Sequence, residues 1–175
     1  MRRAPLLGSL VVIAIFASLA VYILIGYLES PKVSTIVLPE FSKVYSIVPI
    51  SNSLVALGGV KLVNNSEPYG IVAFYSLQNG SCDVLTTLSN YFKGGYVYAV
   101  GFNGTDLLVG GDERINGTLH ASLVDYNLYT HEVVNLSGVL SPFYTTGQVF
   151  SISWTGTYWL VGGDAYIIGF TGQPY

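Results

Sequence analysis

Few side chains in this chain could do chemistry. The densest polar run is Asp112, Glu113 and Arg114, with His120 shortly after it. Two carboxylates, a guanidinium and an imidazole can move a proton or hold an anion. Here they fall between two apolar segments, so solvated charges in a connecting loop account for them. A ligand contact at that loop is the functional alternative, with His120 the first residue to test. Neither His120 nor His131 has a second histidine four residues on, and Cys82 is the single cysteine. That spacing does not make a zinc site, and a lone cysteine forms no intrachain disulfide. The acidic spacing of a calcium hand, the nucleophile elbow and the phosphate-binding glycine loop are also missing from the sequence. The residues thus predict no catalytic group, no cofactor and no metal.

Asn-X-Ser/Thr occurs at Asn64, Asn79, Asn103, Asn116 and Asn135. Asn79, Asn103 and Asn116 are each followed by glycine, the pair that suits the positive φ angles of a two-residue hairpin turn. Turn chemistry therefore explains part of the abundance. On an outward-facing protein the same asparagines would accept N-linked glycans.

The elements that must carry these residues repeat. Residues 149–164, VFSISWTGTYWLVGGD, copy 97–112, VYAVGFNGTDLLVGGD, and more weakly 45–60, YSIVPISNSLVALGGV. The glycine pairs Gly58/Gly59, Gly110/Gly111 and Gly162/Gly163 lie 52 residues apart. A fixed period near 50 residues with several strands in each is the signature of a propeller blade. Short runs rich in Val, Ile, Tyr and Leu predict four strands per repeat. In the first repeat (44–95) they are 44–50, 54–63, 70–77 and 82–88. In the second (96–147) they are 96–102, 106–111, 119–128 and 132–140. The incomplete third (148–175) has 148–154, 158–163 and 165–170. A glycine pair ending the second strand permits a bulge or the close approach of a neighbour. Asp112 and Asp164 follow two of the pairs. Their recurrence marks turn-capping carboxylates rather than a unique site.

An apolar strand ending in Gly-Gly, here LVALGG, LLVGG and WLVGG, resembles the blades of Kelch and galactose-oxidase-type propellers over roughly residues 44–170. The tyrosine of that pattern is matched by Tyr75 and Tyr126 and more weakly by Phe170. Its tryptophan is replaced by Cys82 and Val133. Trp154 and Trp159 stand elsewhere, with Trp159 expected between blades. The resemblance implies an all-β fold of about three four-stranded antiparallel blades in an incomplete ring.

Ahead of the repeats, Arg2 and Arg3 precede an uncharged run, and residues 6–28 would span about 34 Å as a helix. This predicts a single N-terminal transmembrane signal-anchor over 1–28, lipid-facing through 6–28, with the remainder outside the cell. Cleavage of a signal peptide near Ser18 and Ala20 is the rival. Residues 29–43 form a linker holding a lone strand at 33–38. Three blades are too few to close a ring, since propellers use about 4–8. Two chains exchanging strand 33–38 would form a six-bladed homodimer.

Charged residues make up only 10% of the chain, and beyond Arg3 five Lys and Arg stand against ten Asp and Glu. Nucleic-acid binding is disfavoured on that balance. The expected function is an anchored, outward-facing propeller that binds a protein or glycan or serves as a scaffold at the cell surface. The alternatives are the N-terminal part of a propeller enzyme, an oxidase or glycan-active lyase, with its site in further blades, and a truncated remnant.

Overall fold

The computed structural model describes residues 35–64, 66–142, 146–164 and 167–171, the last as backbone only. The chain divides into two units, Met1–Val37 and Leu38–Tyr175. In the first unit, residues 35–37 are described, and Ile36 and Val37 are exposed. No strand runs through 35–38, so the strand expected at 33–38 is absent over its described part. The anchor expected over 6–28 lies outside the described residues. Among the described residues no helix is long and apolar enough to cross a membrane.

The second unit is built from antiparallel sheets in sequence order. β1 (Lys43–Pro49), β2 (Leu54–Val63), β3 (Glu67–Ser76) and β4 (Cys82–Val84) form the first, each strand beside its successor. β5 (Val97–Phe102), β6 (Asp106–Ile115), β7 (Thr118–Asn127) and β8 (Val133–Asn135) form the second. β9 (Val149–Trp154), β10 (Tyr158–Gly163) and β11 (Ile167–Thr171) form the third, three-stranded among the described residues.

The strands follow the apolar runs, with differences that have local causes. β6 and β7 stay paired from Asp106↔Asn127 to Ile115↔Thr118. Asn116 (φ 50°) and Gly117 (φ 85°) then close a two-residue turn that only such residues enter cheaply. Asp112, Glu113 and Arg114 are therefore strand residues, which corrects the loop expected there. The fourth strands are three residues long, because the chain then turns back across the sheet. Leu88 and Phe92 are buried on one crossing, and α1 (Ser137–Leu140) replaces the end of the strand expected at 132–140.

Strand alternation gives the second sheet two apolar faces. Leu107, Val109, Val124 and Tyr126 pack toward the first sheet with Ala56, Val72, Val97 and Val100. Leu108 and Leu123 pack toward the third with Val149, Trp159 and Val161. The first glycine of each pair sits in these seams. A Cβ on Gly58 would fall within 3 Å of the Val97 and Val100 methyl groups, and one on Gly110 within 3 Å of Val149 and Ile152. The Val100 N–H donates to Ser46 Oγ at 3.0 Å across the first seam.

Candidate functional site

The second glycine of each pair faces a bulge. Val44 pairs with Gly59 and Ser46 with Gly58, which leaves Tyr45 as the extra residue. Val97 with Gly111 and Ala99 with Gly110 leave Tyr98, and Val149 with Gly163 and Ser151 with Gly162 leave Phe150. A bulge re-aims the side chain it inserts. Its glycine is required by crowding, for a Cβ on Gly111 would overlap the Tyr96 carbonyl oxygen. Each repeat thus turns one aromatic ring out of its first strand at the same place.

The three rings form a ladder. Tyr45 lies 5.3 Å from Tyr98, and Tyr98 lies 5.3 Å from Phe150, centroid to centroid. Tyr96 stacks on Tyr98 at 5.5 Å with an interplanar angle of 13°. Beside the ladder is a cleft of about 330 Å³ lined by Lys43, Tyr45, Val60, Leu62, Tyr96 and Tyr98. That is the small end of the range for ligand pockets, about 300–1,000 Å³.

One carboxylate supports this wall. Asp112 is fully buried. Its Oδ1 accepts the Tyr96 N–H at 2.8 Å, and its own N–H donates to the Tyr96 carbonyl at 3.0 Å. Gln148 Nε2 donates to Asp112 Oδ2 and, at 3.1 Å, to the Tyr98 hydroxyl. Burial raises the Asp112 carboxyl above its ordinary value, and these hydrogen bonds oppose the rise. Burial, then the Asp112 charge, push the Tyr98 phenol up to about 12. Tyr98 accordingly stays a neutral donor across the physiological range. Asp164 repeats the cap in the third sheet, where its Oδ2 accepts the Gln148 N–H at 2.7 Å with the side chain in solvent.

The other residues singled out by sequence do not join this site. Glu113 and His120 face each other across β6 and β7, on the opposite face from Asp112. Burial raises the Glu113 carboxyl, and His120 and Lys93 oppose it. Arg114 is exposed and donates to the Gly117 carbonyl at 3.1 Å. His131 Nδ1 lies 2.7 Å from the Tyr126 hydroxyl, within its own turn. Among the sequon residues, Asn64, Asn79, Asn116 and Asn135 are exposed. Asn103 is half-buried, and its Nδ2 is already engaged by Asp106 Oδ2 at 3.1 Å.

Two further carboxylates each hold a buried oxygen without a partner: Glu40 Oε2 and Asp125 Oδ1. Burial and the adjacent Glu40 push the Cys82 thiol up to about 11, so it is protonated at neutral pH. Asp125 lies on the face of β7 that looks toward the third sheet. Burial, then the neighbouring Asp106, push it up to about 6. Among the described residues no group of three His, Cys, Asp or Glu could hold a metal ion.

The geometry offers stacking faces, phenol donors and one ammonium in a shallow cleft. These groups can stack on a ring face and donate hydrogen bonds. Tyr45, Tyr98 and Phe150 were not anticipated as site residues, although an aromatic residue recurs at intervals of 53 and 52 opposite each glycine pair. No protein-family model, no curated protein and no solved structure matches this chain.

Proposed function

We propose that this chain is a membrane-anchored, outward-facing β-propeller module of Kelch-like blades that binds a glycan at the cell surface. The observation that carries the reading is the aromatic ladder, built once per repeat beside the cleft at the first strands. Tyrosine offers a large rigid face and a polar tip at low conformational cost, which suits a ligand with apolar ring faces and many hydroxyls. Lys43 in the lining disfavours a cationic ligand and adds a donor for sugar oxygens or a sugar carboxylate. The uncharged run at 6–28 supports the anchor, and the arginines before it support the outward orientation. Exposed Asn64, Asn79, Asn116 and Asn135 are the expected sites of glycosylation on such a module.

The test is a glycan array probed with the full chain in detergent, beside Tyr98→Ala. Binding of a defined glycan set, lost in the variant while its far-ultraviolet circular dichroism is unchanged, is the expected result. An empty array, or equal binding by both proteins, would sink the reading.

A further inference from the structure

The two seams inside this chain are made in the same way. One sheet presents a lane from its second strand, Ala56 and Gly58 in the first sheet, Leu108 and Gly110 in the second. The next sheet's first strand lays two apolar side chains on that lane: Val97 and Val100 on Gly58, Val149 and Ile152 on Gly110. The third sheet presents the same lane again as Leu160 and Gly162. Here Leu160 is 40% exposed, whereas Leu108 is 0% exposed. Among the described residues a Cβ on Gly162 would meet Ser151 of its own sheet and no side chain of another sheet.

The complementary half stands at the other end of the chain. By pairing register, Val44 and Ile47 of β1 correspond to Val97 and Val100 of β5. Ile47 is 66% exposed, whereas Val100 is 6% exposed. The aromatic ladder is open at the same two places, since Tyr45 and Phe150 at its ends are exposed. Residues 38–41 reach the outward face of the first sheet, with Phe41 beside Gly59. Ile47 stays exposed beside them.

We propose that the open lane of the third sheet seats β1 of a second copy of this chain, reciprocally, so that two chains close a six-sheet ring. The occupant is specified by the lane itself. Twice in this chain the Leu/Ala-x-Gly lane is filled by an apolar pair three residues apart on a first strand, and β1 carries such a pair, Val44 and Ile47, with Ile47 left exposed. By the same register Lys43 corresponds to Gln148 and Asp164 to Asp112, so the charges at the contact are opposite in sign. Two identical junctions about a two-fold axis leave neither lane open, and six sheets lie within the range of about 4–8 for closed propellers. The inference rests on the propeller reading above, and it extends the Tyr45, Tyr98 and Phe150 ladder around the whole ring.

Ile47→Cys and Gly162→Cys, made together in a Cys82→Ser background, place two thiols where Val100 and Gly58 meet in the first seam. The full chain in detergent should give a disulfide-linked species of twice the monomer mass on mild oxidation. Mixing the two single-cysteine proteins should give the same species, which shows that the bond joins chains. Light scattering of the unaltered chain should report two chains per particle, and Leu160→Asp should reduce this to one. A monomeric unaltered chain with intact β circular dichroism would overturn the proposal, as would cross-linked ladders longer than two. A monomer that still binds glycan through Tyr98 would remove the pairing and leave the binding function in place.

Discussion

The second and third sheets carry nearly the same sequence at the same register, yet their matching residues live in different surroundings. Leu108 is sealed between sheets and Leu160 is open to solvent. Asp112 is buried under the Gln148 amide, and Asp164 makes the same backbone bond in water. The residue types are those of a repeat, and the difference comes from the neighbour. Of these two sheets, the second has a further first strand packed on its lane and the third does not among the described residues. Burial here is therefore a property of the stack rather than of the single sheet. A sheet taken alone would present the third sheet's open surface on both sides.

Leu108→Ala against Leu160→Ala tests this most sharply. Truncating a sealed leucine typically costs about 2–5 kcal/mol, since a cavity is left that the seam cannot close. Leu160→Ala should cost less than about 1 kcal/mol in the monomeric state, where the side chain is already wet. Urea unfolding in detergent, at a dilution where light scattering reports one chain per particle, followed by tryptophan fluorescence, reads both, because buried Trp159 lies in the seam that Leu108 helps to fill. Equal costs would mean that the seams do not differ.

The capping carboxylates give the next contrast. Asp112→Ala strands the Tyr96 N–H and frees the Gln148 amide beside the ladder, for a loss of about 1–3 kcal/mol, the usual desolvation cost of an orphaned buried donor. It should also weaken the proposed glycan binding, because Asp112 no longer fixes the Gln148 amide against Tyr98. Asp112→Asn keeps one acceptor and should fall between the variant and the unaltered chain. The same unfolding measurement decides this, and an unchanged midpoint for Asp112→Ala would show that the buried cap carries no load.

Asp125 reads the second seam through pH. Its carboxyl is pushed from 3.8 to about 6 by burial and by Asp106. The folded chain therefore holds a proton that the unfolded chain has released between these values. Stability should be fullest below about pH 4 and fall as pH rises through about 6, as far as this group decides it. Asp125→Asn removes that loss. After discount for partial exposure, the gain at pH 7 should be on the order of 1–2 kcal/mol. Unfolding midpoints of both proteins from pH 4 to 8 should converge at the acid end. A gap that stays constant over this range would rule the titration out.

Sequence revealed the strands because each repeat alternates apolar runs with Gly and Asn turns, signals that lie within ten residues of each other. The caps at Asp112 and Asp164 were legible through recurrence. The cleft was not, because it depends on β1 and β5 lying side by side across a whole repeat. The bulges that aim Tyr45, Tyr98 and Phe150 come from one extra residue against Gly-Gly, which periodicity alone does not assign to a strand. Asp112, Glu113 and Arg114 read as a loop because charge usually marks one. Here ladder pairing with 119–121 carries them to the Asn116-Gly117 turn. The strand expected at 33–38 rests on a β-branched run, and among the described residues 35–38 join no strand.

The smallest effect belongs to Asp164. Its carboxylate accepts the Gln148 N–H at 2.7 Å, as Asp112 accepts that of Tyr96, but water can replace it at once. Asp164→Ala should cost about 0.5–1 kcal/mol, the net value of an exposed hydrogen bond, against the larger loss at Asp112. Hydrogen exchange sharpens the contrast at single-residue level. The Gln148 amide should exchange faster in Asp164→Ala, and the Tyr96 amide should be unaffected. Coupled acceleration at Tyr96 would mean that the third sheet's first strand, rather than the buried carboxylate, holds the ladder in place.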